Sequence, residues 1–134
     1  MKGVKSKLFG CYWESMFLSA LCYPDRIDPN NKSHLQKRRH MRTYIHSMKY
    51  VLSCRYCRCF VKNKLIKEFP LDMSGKIQLM KSIYIWRDQV NKKLIKQELS
   101  IGKQITKDSP PFEEIMKKYS KYYAKCDQKI GKCI

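Results

Sequence analysis

The chain of 134 residues carries 29 Lys and Arg against 11 Asp and Glu, a net charge of +18, and 43% of its residues are apolar. That length and apolar content fit one domain with one real core. No apolar run approaches the roughly 18 residues of a membrane span, and the charge favours anionic partners such as nucleic acid, a membrane surface or a phosphorylated cofactor.

At the N-terminus, Lys2, Lys5 and Lys7 followed by apolar residues as far as Tyr23 imitate a signal peptide. Glu14 interrupts that stretch and no small-residue cleavage site follows, so a cleaved signal is not expected and the compartment stays open. Residues 8–23 read as a first helix, with Trp13, Phe17, Ala20 and Leu21 at helical spacing and Pro24 closing it. Residues 25–32 form a polar loop. Ser33 then starts a second helix, with Gln36 completing a capping box. Its apolar stripe is Leu35, Met41, Tyr44, Ile45, Met48, Val51 and Leu52, and Lys37, Arg38, Arg39 and Arg42 give it a basic outer face.

The second helix is expected to end near Ser53, where a short third begins, carrying Phe60, Val61, Leu65 and Ile66 and stopping before Pro70. Ser74 is the expected cap of a fourth helix over 76–97, with Ile77, Met80, Ile83, Tyr84, Val90 and Leu94 along one stripe. A loop covers 98–108. Ser109 and Pro110 predict a helix start, since proline fits a first turn, and Phe112, Ile115, Met116 and Tyr119 continue it. No strand pattern, repeat or glycine-rich phosphate loop competes. The expected architecture is all-α: a small bundle of four helices and a short fifth over residues 1–119, then a basic tail, 120–134.

Seven cysteines are many for this length: Cys11, Cys22, Cys54, Cys57, Cys59, Cys126 and Cys133. The count is odd, so one is unpaired or pairs between chains. Cys54-Arg-Tyr-Cys57 carries the most chemistry. Two thiols at this spacing can close a disulfide or share a metal. At a helix N-terminus the dipole and unpaired N–H groups favour a thiolate, and Arg55 and Arg58 add positive charge beside the sulfurs. As half a zinc site the pair needs two more ligands; Cys59 and His46 are the nearest, at spacings that fit no common signature. No metal is expected. Redox chemistry is the better reading of the motif.

The order of these parts resembles the ERV/ALR family of FAD-dependent sulfhydryl oxidases. The family pattern opens with Trp-x-x-x-His on the first helix and a following Tyr-Pro; here Trp13-Glu-Ser-Met-Phe17 and Tyr23-Pro24 stand in those places. A second helix leading to CxxC matches Cys54 and Cys57. The family's His-Asn-x-Val-Asn-x-x-Leu-x-Lys is met by Arg87-Asp-Gln-Val90-Asn91-Lys-Lys-Leu94-Ile-Lys96. The resemblance spans about residues 8–119. Phe17 and Arg87-Asp88 depart from the histidine and the His-Asn pair that contact FAD in the family. Phe17 can still pack on a flat ring, and Arg87 can stack on adenine or pair with phosphate.

The resemblance implies FAD held in the bundle, with Cys57 next to the flavin and Cys54 exchanging disulfides with incoming thiols. It implies that Trp13, Phe17, Trp86, Arg87, Val90, Asn91, Lys96 and Tyr119 bind the cofactor, and that oxygen takes the electrons as hydrogen peroxide. It further implies a homodimer packed through the first two helices. The substrate would be a thiol-bearing protein or a thioredoxin-like relay. The chain looks like a divergent, viral-type member, which would place the protein in host cytoplasm or a virion. Cys126 and Cys133 in the tail could act as a shuttle pair delivering electrons to Cys54. Without the resemblance, Trp13 and Phe17 read as core, and Asn91 and Lys96 as a solvated helix face. A different class of function also fits the charge: a basic helical module, with or without zinc and lacking redox activity, that binds nucleic acid through the second helix, with Tyr44 and Tyr50 among its cations.

Overall fold

The computed structural model describes residues 6–103 and 105–122, with the backbone alone at 6–9. The described residues are all-α. Their elements are α1 (Ser6–Ala20), α2 (Lys32–His46), α3 (Met48–Val51), α4 (Arg55–Phe60), a π-helical turn (Val61–Leu65), α5 (Ile66–Glu68), α6 (Lys76–Ser100) and α7 (Phe112–Ser120).

α1 stops three residues short of Tyr23. The Tyr23 ring is buried and its hydroxyl donates to the Met73 carbonyl at 2.6 Å, so the chain turns here to deliver it. The cap of α2 is Asn31, whose Oδ1 accepts the His34 N–H at 3.2 Å; the expected box of Ser33 and Gln36 does not form, because Ser33 already lies inside the helix. The single long second helix is broken at Ser47, whose Oγ donates back to the Tyr44 carbonyl at 2.5 Å, a competing bond that bends helices. The break rotates Val51 outward, and it is exposed rather than part of the stripe.

α4 runs on through the π-helical turn into α5 and ends before Pro70. α6 begins after Gly75 without a side-chain cap. Ser74, the expected cap, instead donates its N–H and Oγ to Asp72 Oδ1 at 3.0 and 2.6 Å. Ile77, in the first turn of α6, is exposed. α7 starts one residue beyond the expected prolines, at Phe112, with Glu113 and Glu114 in its first turn and Lys117 and Lys118 in its last, as the helix dipole favours.

α1 packs on α6. Phe17, Ile45, Leu65, Leu79, Met80 and Ile83 are completely buried between the helices. Trp86 closes the core towards α2: its Nε1 donates to the Phe69 carbonyl at 2.7 Å, and its ring lies parallel to His46 at 6.3 Å. No helix of the described residues is long and apolar enough to cross a membrane.

Candidate active site

Leu52 adopts an extended backbone after α3, and the chain re-enters a helix at Cys54, which is the N-cap of α4. The Cys57 N–H donates to Cys54 Sγ at 3.4 Å. Neither cysteine is in a disulfide, and both side chains are partly buried. Burial pushes the Cys54 thiol up, but the Cys57 thiol and the backbone N–H groups of Cys57 and Tyr56 all donate to it and together hold it below the usual cysteine range. Cys57 moves the opposite way. Burial, donation of its hydrogen to Cys54 and the charge on Cys54 push it up to about 12, against the Lys93 ammonium. Cys54 is therefore the more acidic of the pair, and a proton shared between the two sits on Cys57.

The cation that acts on the pair is not one of the two adjacent arginines. Arg58 turns its Nη1 to the Leu52 carbonyl, and Arg55 is exposed. Lys93, on α6, holds its ammonium 4.3 Å from the centre of the Phe60 ring and faces Cys57.

Both cysteines line a cavity of about 650 Å³, within the range of about 300–1,000 Å³ that holds small ligands and cofactors. Trp13 and Met16 of α1 form one wall, Phe60 and Val61 a second, and Trp86, Val90 and Leu94 of α6 a third. The fourth is the loop from Ile105 to Pro110. Glu98 pins that loop: its Oε2 accepts the N–H groups of Ile105 and Thr106 at 2.9 and 2.8 Å, and its Oε1 accepts the Thr106 hydroxyl at 2.6 Å. Asn91 Nδ2 donates to Ser109 Oγ at 3.0 Å, and the Tyr84 hydroxyl to the Pro110 carbonyl at 2.7 Å.

Seven of the residues singled out in the sequence meet here: Cys54, Cys57, Trp13, Trp86, Arg87, Val90 and Asn91 all line the cavity. Phe17 and Tyr119 do not. They are buried and stacked on each other, ring centres 5.1 Å apart. Lys96 is exposed and away from the cavity. Cys126 and Cys133 lie outside the described residues. Cys22 is disulfide-bonded, whereas Cys11 and Cys59 are free and exposed.

Lys93, Phe60 and Glu98 are the residues that sequence reasoning passed over. Lys93 had a signal: Trp86, Val90, Lys93 and Gln97 recur at helical spacing, so they share the face that lines the cavity. Glu98 had none, because its partners follow in an irregular loop.

Among the described residues no three His, Cys, Asp or Glu side chains gather as a metal-binding group. Burial, and then Lys49 and Arg42, push the His46 imidazole below its usual range, and its ring is stacked on Trp86.

No family model, curated protein or solved structure matches this chain.

Proposed function

We propose that this protein is an FAD-dependent sulfhydryl oxidase that makes disulfides in other proteins. The observation that carries the reading is convergence: a CxxC dithiol and residues from two distant sequence motifs, around Trp13 and around Arg87-Val90-Asn91, line one aromatic cavity. A cavity of about 650 Å³ walled by Trp13, Phe60 and Trp86 and edged by Arg87, Asn91 and Lys93 suits a flat ring system with an anionic tail. In this reading the three rings hold the isoalloxazine or adenine, while Arg87 and Lys93 meet phosphate and Asn91 the polar edges.

Bound FAD would supply the two-electron acceptor that restores the disulfide and passes the electrons to oxygen, giving hydrogen peroxide. The protein's own part is thiol–disulfide exchange. A substrate thiolate attacks Cys54 Sγ of the Cys54–Cys57 disulfide; the Cys54–Cys57 bond breaks and Cys57 leaves opposite the Lys93 ammonium. A second substrate thiolate attacks the substrate sulfur of the mixed disulfide and expels Cys54. The substrate has lost two electrons, and the CxxC pair has gained them as a dithiol. Expulsion of Cys54 in this second step is assisted because the Cys57 thiol and two backbone N–H groups stabilise its thiolate.

The same reading carries a homodimer built on α1 and α2, a protein dithiol or thioredoxin-like relay as partner, and a viral source. The visible spectrum of the purified full chain tests it. A flavin spectrum bleached by dithiothreitol under argon and restored by air is expected. A featureless spectrum with zinc by metal analysis would overturn it. A second reading rests on α2, where Lys37, Arg39 and Arg42 are exposed and enter no ion pair among the described residues. A colourless protein with steeply salt-dependent binding to nucleic acid would favour that module instead.

A further inference from the structure

The charged side chains around Cys54 are mostly basic and stand on an apolar footing. Tyr56, 77% exposed, lines the mouth of the cavity beside the sulfur, and the exposed Tyr50 and Val51 precede it. Arg55 is exposed next to Cys54. Lys107 is exposed on the loop wall, and Lys93 lines the same cavity. The side-chain ion pairs of the described residues are Lys64–Glu68, Lys76–Asp25 and Lys92–Asp88, so Arg55, Lys93 and Lys107 take part in none. Asp108 is the single acid on the cavity wall.

We propose that Cys54 exchanges with a partner-protein cysteine set in an acidic segment, whose carboxylates meet Arg55 and Lys107 while an apolar neighbour lies on Tyr56. This rests on Cys54 being the exchanging sulfur of the site above. Like charges brought to this rim cost encounter rate, and opposite charges raise it. The protein's own tail has the wrong sign for this rim: Lys121, Lys125, Lys129 and Lys132 stand against Asp127 around Cys126 and Cys133. The electrostatics therefore point to an acidic partner in trans, not to the tail, as the source of electrons.

The test needs no flavin. The full chain with Cys57→Ser is mixed with two single-cysteine peptides, each carrying its cysteine as a mixed disulfide with thionitrobenzoate, one flanked by Glu and one by Lys. The Cys54 thiolate attacks the peptide sulfur, a Cys54–peptide disulfide forms, and coloured thionitrobenzoate leaves with the electron pair of the broken bond. Peptide mapping locates the adduct, and a variant also carrying Cys54→Ser subtracts reaction at Cys11 and Cys59. The Glu peptide is expected to react about tenfold faster at low salt, the gap closing near 1 M salt, where the screening length falls to about 3 Å. Arg55→Glu with Lys107→Glu should reverse the preference. Equal rates, a faster Lys peptide or a salt-independent ratio would overturn the proposal. If the charge-reversed protein does not fold, the salt series on the Cys57→Ser protein decides. Dithiothreitol oxidation by the unaltered protein is measured alongside. Its absence would sink the oxidase reading alone, since the peptide exchange proceeds without cofactor.

Discussion

The backbone N–H of Cys57 points at the sulfur of Cys54 from 3.4 Å, so the first cysteine caps the helix that carries the second. That one contact makes the two thiols unequal. It places helix N–H donors on Cys54 and leaves Cys57 behind it, partly buried and donating its own hydrogen forward.

The inequality can be read by alkylation. In the reduced full chain, iodoacetamide should label Cys54 before Cys57, because the Cys57 thiol and helix N–H groups hold the Cys54 thiol below its ordinary range. Cys57 should stay unreactive until far higher pH, as its value of about 12 requires. In Cys54→Ser the charge beside Cys57 is gone, so its pKa must fall; burial alone then keeps it raised. Peptide mapping across a pH series checks both. Equal labelling of the two cysteines near neutral pH would contradict the geometry.

Lys93→Met removes the ammonium that faces Cys57 and covers Phe60. Because that charge lowers the Cys57 pKa, the midpoint for alkylating Cys57 should move further up, with Lys93→Arg restoring it. Loss of the contact with the ring should cost about 0.5–1 kcal/mol in a urea unfolding experiment.

Glu98 holds one wall of the cavity by three hydrogen bonds from Ile105 and Thr106. The Thr106 hydroxyl and N–H, and then the Ile105 N–H, hold its carboxyl below the usual glutamate range. A depressed folded-state pKa means that this restraint is present above the ordinary glutamate pKa, about 4.3, and is lost as pH falls through the lower folded value. Amide exchange at Ile105 and Thr106, corrected for its intrinsic pH dependence, should be protected at neutral pH and rise on acidification. Glu98→Ala should show the unprotected behaviour at all pH values and, under the proposed oxidase reading, retain less flavin.

Phe17 and Trp13 should respond differently although one turn of α1 separates them. Phe17 is buried against Tyr119, so Phe17→Leu should lower stability by about 1 kcal/mol through loss of the ring pair, and leave flavin per folded molecule unchanged. Trp13 lines the cavity, so under the proposed oxidase reading Trp13→Ala should deplete flavin. The absorbance ratio of visible to near-ultraviolet bands separates the two.

Gly75 lies against the Asp25 carbonyl, next to the bond from the Ile27 N–H to the Ser74 carbonyl at 2.8 Å. A Cβ there would clash with that carbonyl and with Gln78 Oε1. The glutamine can move aside, but the backbone cannot. Gly75→Ala is expected to cost about 1–3 kcal/mol by denaturant unfolding, the range of an overpacked site.

The sequence by itself determined the helical class, the position of most helices, and the placing of Cys54-Arg-Tyr-Cys57 at a helix start. Those features are local: a 3.6-residue rhythm, prolines at Pro24 and Pro70, and two sulfurs three residues apart. Trp13, Trp86, Val90 and Asn91 are marked only through the family resemblance; periodicity alone reads Trp13 as core and Asn91 as a solvated helix face.

Tertiary structure decided what each face meets. Periodicity shows that Trp13 and Phe17 lie together on α1, and only the packing of α1, α6 and α7 sends Phe17 to Tyr119 and Trp13 to the cavity. It likewise brings Lys93 to Cys57 while Lys96 stays exposed, and uses Glu98 to fold an irregular loop into a wall. The same holds for the central dithiol. Spacing alone makes Cys54 and Cys57 look equivalent, and it is burial and the direction of the N–H groups, both properties of the folded chain, that turn one into the thiolate and the other into its proton donor.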